Sequence, residues 1–100
     1  MTRSDAHRYL VAYDIADDRR RLRLAKALQS FGDRVQYSVF VVDASEVRLR
    51  RMRREVERIV RLDQDAVLIC DVGPVSGVSE SRFVSIGVGR SLTDGDSFII

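Results

Sequence analysis

The chain has 100 residues, of which 45% are apolar and 32% are charged, so we expect one globular domain and exclude a disordered chain. No apolar stretch is long enough to span a membrane, and no secretory signal follows the polar start MTRSDAHR, so we expect a cytoplasmic protein with no membrane partner. The net charge is only +2, but residues 19–61 carry twelve arginines and one lysine against five acidic residues. This segment suits contact with nucleic acid, although solvated helix faces explain it equally well.

The first part of the chain predicts a strand followed by a helix. The sequence RYLVAYDI, residues 8–15, has so few polar side chains that we expect a strand in the centre of a sheet. Asp17 or Asp18 is placed to cap the next helix, RRRLRLAKALQSFG, and Gly32 is placed to end it. Leu24, Leu28 and Phe31 fall on one apolar face of this helix, and Leu22 and Ala25 lie beside them.

The middle of the chain predicts two further strands and a second helix. DRVQYSVFVVDAS, residues 33–45, is long for one strand, and a break near Tyr37 and Ser38 would divide it into two. Ser45 is placed to cap the second helix. The apolar stripe of this helix comprises Leu49, Met52, Val56, Ile59 and Val60, and arginines cover much of the remainder. AVLICDV then predicts a buried strand with Cys70 as a buried thiol, and RFVSIGVG predicts a strand after it.

The order of these elements, βα(ββ)αβ with an added strand, predicts an α+β fold of the ferredoxin-like plan, with an antiparallel sheet covered by two helices. We expect a single domain over residues 1–100, with the core fold at about 8–87 and a tail at 88–100. The tail ends in FII, three apolar residues that a frayed terminus would leave in water. A short strand added to the sheet of a second copy would cover them, so we expect a homodimer.

Asp14 ends the first predicted strand, and its presence there requires an explanation because aspartate is depleted in strands. Asp14 either closes a turn into the helix or binds a metal ion for catalysis. Tyr13 is either a core aromatic residue or a functional one. His7 is the only histidine, at the expected unstructured start, which excludes a histidine metal site and a Ser/His/Asp triad. Carboxylates favour Mg²⁺, Mn²⁺ or Ca²⁺, and Mg²⁺ commonly takes only one or two of them, so one Asp14 per chain suffices.

The segment YDIADDRRRLRLAKALQSFGDRVQYSVF closely resembles the signature of the second CRISPR-associated protein family, the small adaptation protein that partners the spacer integrase. A basic helix ending at glycine leads into R-V-Q-x-S-V-F at residues 34–40, and Ile86 and Gly87 precede a polar loop and the terminal FII as in the family. The resemblance implies ferredoxin-like homodimers whose terminal strand crosses onto the partner's sheet. It also implies a metal-dependent endonuclease that acts on RNA, on duplex DNA or on both.

The resemblance further assigns residues. The position of Asp14 binds the divalent ion, Mg²⁺ or alternatively Mn²⁺, and its two copies face each other across the dimer axis. Positions that handle phosphate or support the site match Tyr13, Arg21, Arg23, Arg34, Ser38 and Phe40. Many relatives have a glutamate after the phenylalanine of SVF, whereas this chain has Val41.

Our hypothesis for the chemistry is hydrolysis of a phosphodiester by a water that the ion activates, with Arg21, Arg23 and Arg34 positioning the substrate. The resemblance supports a second function equally well, a non-catalytic dimeric bridge that binds duplex DNA between integrase subunits. A toxin-like ribonuclease of the same fold is a more distant alternative, and the adaptation motifs argue against it.

Overall fold

Four strands and two α-helices follow one another in residues 5–77 and 82–88, the part of the chain that the computed structural model describes. They are β1 (His7–Asp14), α1 (Asp18–Gln29), β2 (Asp33–Gln36), β3 (Val39–Ala44), α2 (Glu46–Ile59) and β4 (Ala66–Pro74). A 3-10 turn at Val75–Gly77 follows β4. The predicted break in the long extended segment is confirmed, because β2 ends at Gln36 and β3 begins at Val39.

The strands form one antiparallel sheet in the order β2-β3-β1-β4, as the ferredoxin-like plan requires. β1 pairs with β3 from His7↔Ala44 to Ala12↔Val39 and with β4 on its other side as far as Asp14↔Ala66. The expected central position of the first strand is therefore confirmed. His7 lies within β1 and not in an unstructured start, because its backbone pairs with both neighbouring strands.

The core lies between the helices and one face of the sheet. Alternate residues of β1 are buried there, because successive strand side chains point to opposite faces. The buried apolar side chains include Tyr9, Val11, Tyr13, Leu24, Leu28, Phe40, Val42, Met52, Val56 and Ile59. Burial of each large side chain contributes about 1.5–3 kcal/mol. The sheet face opposite the helices is called the open face below.

Capping residues fix the beginnings of both helices as the sequence predicts. The Asp17 carboxylate accepts from the Arg20 N–H at 2.9 Å, and the Ser45 hydroxyl oxygen accepts from the Arg48 N–H at 3.2 Å. The end of α1 differs from the prediction, because the helix closes at Gln29, three residues before Gly32. Gly32 instead allows the chain to pass close to β3, because a Cβ at this position would lie 2.2 Å from the Val41 carbonyl oxygen.

Leu22 departs from the predicted apolar face of α1, because it is 67% exposed. The buried positions of this helix are Leu24, Ala25 and Leu28. Leu22 lies nearly opposite Leu24 on the helix and is a neighbour of Ala25, so it falls at the edge of this stripe and stays exposed. The apolar stripe of α2 is confirmed, because Met52, Val56 and Ile59 are buried and Leu49 and Val60 pack against the core.

The last predicted strands differ most from the structure. β4 is an edge strand with alternating exposure, so the predictions of a buried strand and of a buried Cys70 thiol are wrong. Cys70 pairs with Leu10 on the open face, which the helices do not cover. Residues 82–88 form no strand, and Phe83 and Val84 instead lie beside Leu10 on that face. The terminal FII lies outside the described residues, as does its predicted pairing with a second copy.

Neither helix of the described chain has the length and apolar character that crossing a membrane requires.

Candidate active site at the end of the central strand

Asp14 is the last residue of β1, and its side chain is exposed. Tyr13 before it faces the helices, so alternation places the Asp14 side chain on the open face. Within the described part of the chain, the Asp14 carboxylate has neither a hydrogen bond nor an ion pair. A turn-closing role is not observed, because Asp17 caps the helix. The Asp14 carboxylate oxygens are therefore hydrogen-bond acceptors that no described residue uses.

Tyr13 takes the role of a core aromatic with a satisfied hydroxyl. Its ring is buried and lies 6.3 Å from the ring of Phe40, which is buried as well. The Tyr13 hydroxyl donates to the Tyr37 carbonyl at 3.3 Å, and the Tyr13 N–H donates to the Ser38 carbonyl at 3.1 Å. Both contacts tie the turn between β2 and β3 to the residue that precedes Asp14. Ser38, one of the predicted site residues, thus contacts Tyr13 through its backbone carbonyl.

Arg21 holds the backbone that follows Asp14. Its Nη1 donates to the Ile15 carbonyl at 3.0 Å and to the Ala16 carbonyl at 3.3 Å. Its Nε donates to the Tyr37 hydroxyl at 3.2 Å, and its Nη2 donates to Asp18. Hydrogen bonds with the Asp18 carboxylate and then with the Tyr37 hydroxyl raise the pKa of Arg21 above its ordinary value. All three guanidinium nitrogens are engaged with the protein itself.

Arg34 lies between two aromatic rings. Its guanidinium carbon is 5.4 Å from the centre of the Phe40 ring and 5.8 Å from the centre of the Tyr37 ring. Such cation–π contacts are worth about 0.5–2 kcal/mol. The Arg34 Nε is buried and has no hydrogen-bond partner among the described residues. Arg34 therefore keeps one donor that the described protein does not satisfy.

Five side chains meet at this end of the sheet. We call them the strand-end cluster: Tyr13, Arg21, Arg34, Tyr37 and Phe40. Of the predicted site residues, Arg23 stands apart, because it is exposed two positions after Arg21 and so on another side of α1.

Tyr37 is a member that the sequence analysis used only to place a strand break. A usable signal existed, because an aromatic residue is unusual in the turn between two strands, where Gly, Asn, Asp and Ser dominate.

The cluster and Asp14 belong to different sides of the sheet. Tyr13 and Phe40 pack on the helix side, whereas alternation places the Asp14 side chain on the open face. They meet where β1 ends, since Arg21 binds the two carbonyl groups directly after Asp14. The strand-end cluster is therefore arranged to fix the position of Asp14.

The donor set of one chain limits the metal that it can hold. In residues 5–77 and 82–88, no group of three or more histidine, cysteine, aspartate or glutamate side chains is arranged around a common point. Zn²⁺ sites need three or four protein ligands, a set that the described residues of one chain do not bring together. Mg²⁺ and Mn²⁺ prefer oxygen ligands, and Mg²⁺ retains several waters, so a single exposed carboxylate such as Asp14 fits these ions.

Comparison with known proteins identifies the family. The model of the family described as CRISPR associated protein Cas2 matches residues 7–75. A Rhodospirillum rubrum protein named CRISPR-associated endoribonuclease Cas2 4 is 46% identical over 81 residues, which cover 81% of this chain and 63% of that relative. A Thermus thermophilus protein named CRISPR-associated endonuclease Cas2 2 is 47% identical over 81 residues, which cover 81% of this chain and 82% of that relative.

Solved structures agree in fold. The crystal structure of the hypothetical protein TT1823 from Thermus thermophilus is similar, with a TM-score of 0.71 and 43% sequence identity, over 87% of this chain and 98% of that one. Streptococcus pyogenes Cas2 at pH 6.5 has a TM-score of 0.70 at 22% identity, over 80% of this chain and 99% of that one, and supports the fold alone. The family match over residues 7–75 includes Asp14 and the whole strand-end cluster, and this chain belongs to the family of CRISPR-associated protein Cas2.

Proposed function

We propose that this protein is a CRISPR-associated endonuclease that hydrolyses phosphodiester bonds with a divalent ion, Mg²⁺ or Mn²⁺, bound by Asp14. The exposed Asp14 carboxylate, without a partner among the described residues and at the end of the central strand, carries this proposal. This carboxylate has no structural contact in the described chain, and Arg21 orders the backbone directly after it, so it is available for chemistry.

The names of the relatives support a nuclease. The Rhodospirillum rubrum relative is named an endoribonuclease, and the Thermus thermophilus relative is named an endonuclease. We extend this activity to the present chain, with RNA, duplex DNA or both as the substrate. The toxin-like ribonuclease has no comparable support.

Each residue then has a separate role. The ion, when bound, supplies positive charge to the phosphate oxygens and lowers the pKa of a water. The Asp14 oxygens bind it, and Arg21 keeps Asp14 in place through the Ile15 and Ala16 carbonyls. In our proposal Arg21 is a positioning residue, whereas the sequence analysis expected it to position the substrate, because all three of its guanidinium nitrogens already donate to the protein. Arg23 is exposed on α1 and is the better placed of the two to meet a phosphate.

A second copy of the chain completes this site in our proposal. One chain contributes one carboxylate, and a second Asp14 would give the ion the two acidic ligands that Mg²⁺ sites commonly use. Apolar side chains on the open face support self-association, since Leu68 is 62% exposed there beside Cys70. We therefore include a homodimer in the proposed function.

Ion removal tests the proposal. Purified protein should cleave labelled single-stranded RNA, duplex DNA or both in Mg²⁺ or Mn²⁺, stop in chelator, and resume when excess ion is added back. The two substrates, measured side by side, report the preference between RNA and DNA. Cleavage that continues unchanged in chelator would refute a metal-dependent mechanism.

A second candidate function is a DNA-binding bridge that acts with a spacer integrase. The observation that favours it is the surface of α2, where several arginines are exposed: Arg50, Arg51, Arg53, Arg54 and Arg58. Guanidinium groups along one helix suit the phosphates of a duplex. This function needs the helix surface but not the Asp14 carboxylate, so the two candidates are separable by mutation.

A further inference from the structure

Tyr37 presents an aromatic ring to solvent. Among the large apolar side chains exposed in the described residues, it is the one with an aromatic ring, and it is 65% exposed. The others are aliphatic, such as Leu22 and Leu62. Exposing an aromatic ring forfeits the favourable burial that the core offers to Tyr13 and Phe40.

The exposed ring is also held in place. Its hydroxyl accepts from the Arg21 Nε at 3.2 Å, and its backbone carbonyl accepts from the Tyr13 hydroxyl at 3.3 Å. These contacts anchor the residue at both ends, one through the side chain and one through the backbone. A ligand that packs on the ring therefore has little side-chain entropy left to remove.

Two guanidinium groups lie over the Tyr37 ring. The guanidinium carbons of Arg21 and Arg34 lie 6.0 Å and 5.8 Å from its centre. The Arg34 Nε is buried without a partner among the described residues. Tyr37 is 65% exposed, so its ring keeps uncovered surface next to the Arg34 guanidinium. This arrangement matches a nucleotide, whose base stacks on the uncovered ring while its phosphate is attracted to Arg34.

We propose that Tyr37 is a stacking platform for an unpaired base of a single-stranded nucleic acid, bound next to the Asp14 end of β1. The Tyr13 N–H donates to the Ser38 carbonyl, so the turn that carries Tyr37 lies beside the residue before Asp14. Duplex bases are stacked on one another and offer no free face to a single ring. The proposal rests on the proposed nuclease function and assigns it a single-stranded substrate.

A Tyr37→Trp variant reports stacking directly, because the natural chain has no tryptophan. Binding of single-stranded oligoadenylate and of duplex DNA is followed in chelator by anisotropy of a label on the nucleic acid and by tryptophan emission. We expect the single strand to quench the emission in parallel with its binding, and the duplex to leave it unchanged. Single-strand binding without quenching, or no single-strand binding at all, would overturn the proposal.

Two further variants separate stacking from the hydroxyl contact with Arg21. Tyr37→Phe keeps the ring and should bind the single strand within about twofold of wild type, whereas Tyr37→Leu should bind it about tenfold more weakly. Leu62→Ala, at an exposed apolar residue before β4, is the control and should bind like wild type. Equally weakened binding in Tyr37→Phe and Tyr37→Leu, or duplex binding weakened as much as single-strand binding in Tyr37→Leu, would contradict stacking.

These measurements do not depend on cleavage. If the protein never cuts nucleic acid but Tyr37→Trp is quenched as described, the proposed nuclease function fails and the stacking site stands. If cleavage requires the ion but the emission does not respond to a bound single strand, the stacking site fails and the nuclease stands.

Discussion

Arg20 and Asp65 tie the start of α1 to the loop before β4. The Arg20 Nε donates to the Asp65 carboxylate at 2.8 Å, and the Asp65 side chain is only 1% exposed. The hydrogen bond from Arg20, and then that from the Arg61 N–H, lower the pKa of Asp65 below its ordinary value of 3.8. The folded protein therefore keeps this carboxyl charged at pH values where the unfolded chain protonates it. Its stabilisation is complete above the ordinary value and disappears as the pH falls through the lowered one.

Asp65→Asn should lower the melting temperature at about pH 7, and the difference from wild type should shrink as the pH falls below about 4. Thermal unfolding of both proteins over this pH range, followed by circular dichroism, measures it. The matched control is Asp63→Asn. Asp63 also pairs with an arginine, with its carboxylate 3.6 Å from the Arg61 Nε, but its side chain is exposed. A difference between Asp65→Asn and wild type that stayed constant from about pH 7 to about pH 2.5 would contradict this assignment.

Some residue roles were predictable because they depend on near neighbours in sequence. Asp17 or Asp18 was predicted as the cap of α1 and Ser45 as the cap of α2, because a cap needs only an oxygen within reach of the first turn. The roles of Arg21 and Tyr37 were not predictable in this way. Their hydrogen bond joins α1 to a turn sixteen positions later, and only the folded sheet brings the two together.

Element types followed from hydrophobic pattern, and the differences arose where the pattern is ambiguous. AVLICDV reads as a continuous apolar run, which is typical of a buried strand, yet β4 lies at the sheet edge with one face open. The apolar run of an edge strand with one uncovered face does not differ in sequence pattern from that of a strand buried on both faces. This ambiguity explains the wrong prediction for Cys70.

The helix α2 allows a test of the DNA-bridge function. Arg51, Arg54 and Arg58 are exposed and lie on one side of it, because residues three and four apart are neighbours on a helix. Replacing all three with glutamine should weaken duplex binding and reduce the slope of log K against log salt by about 0.9 for each phosphate that the variant no longer neutralises.

The triple lysine variant keeps the charge and is the control for this experiment. Fluorescence anisotropy at several salt concentrations gives the slopes. If the glutamine and wild-type proteins have equal slopes, α2 is not the surface that holds the duplex.

At the scale of the whole molecule, the proposed metal site requires two copies of the chain. The described residues contain no cluster of metal ligands, and Asp14 is the carboxylate that they place at the end of β1, so the proposed site combines Asp14 from two copies. The open face of the sheet, with exposed Leu68 and Cys70, is the surface that such a pair would cover. The sequence predicted the fold and the position of Asp14 at the end of the first strand. It could not show that Asp14 and the strand-end cluster lie on different sides of the sheet. That separation depends on which face the helices cover.

The most direct measurement is the cleavage rate of Asp14→Asn in Mg²⁺, compared with wild type and with Asp63→Asn, which removes an equivalent exposed charge. We predict that Asp14→Asn cleaves at least about a hundredfold more slowly, because ion-based charge stabilisation is worth several kcal/mol in the transition state. The melting temperature should not fall, since the Asp14 carboxylate has no partner in the described chain. Full activity of Asp14→Asn, in a preparation free of other nucleases, would contradict the account.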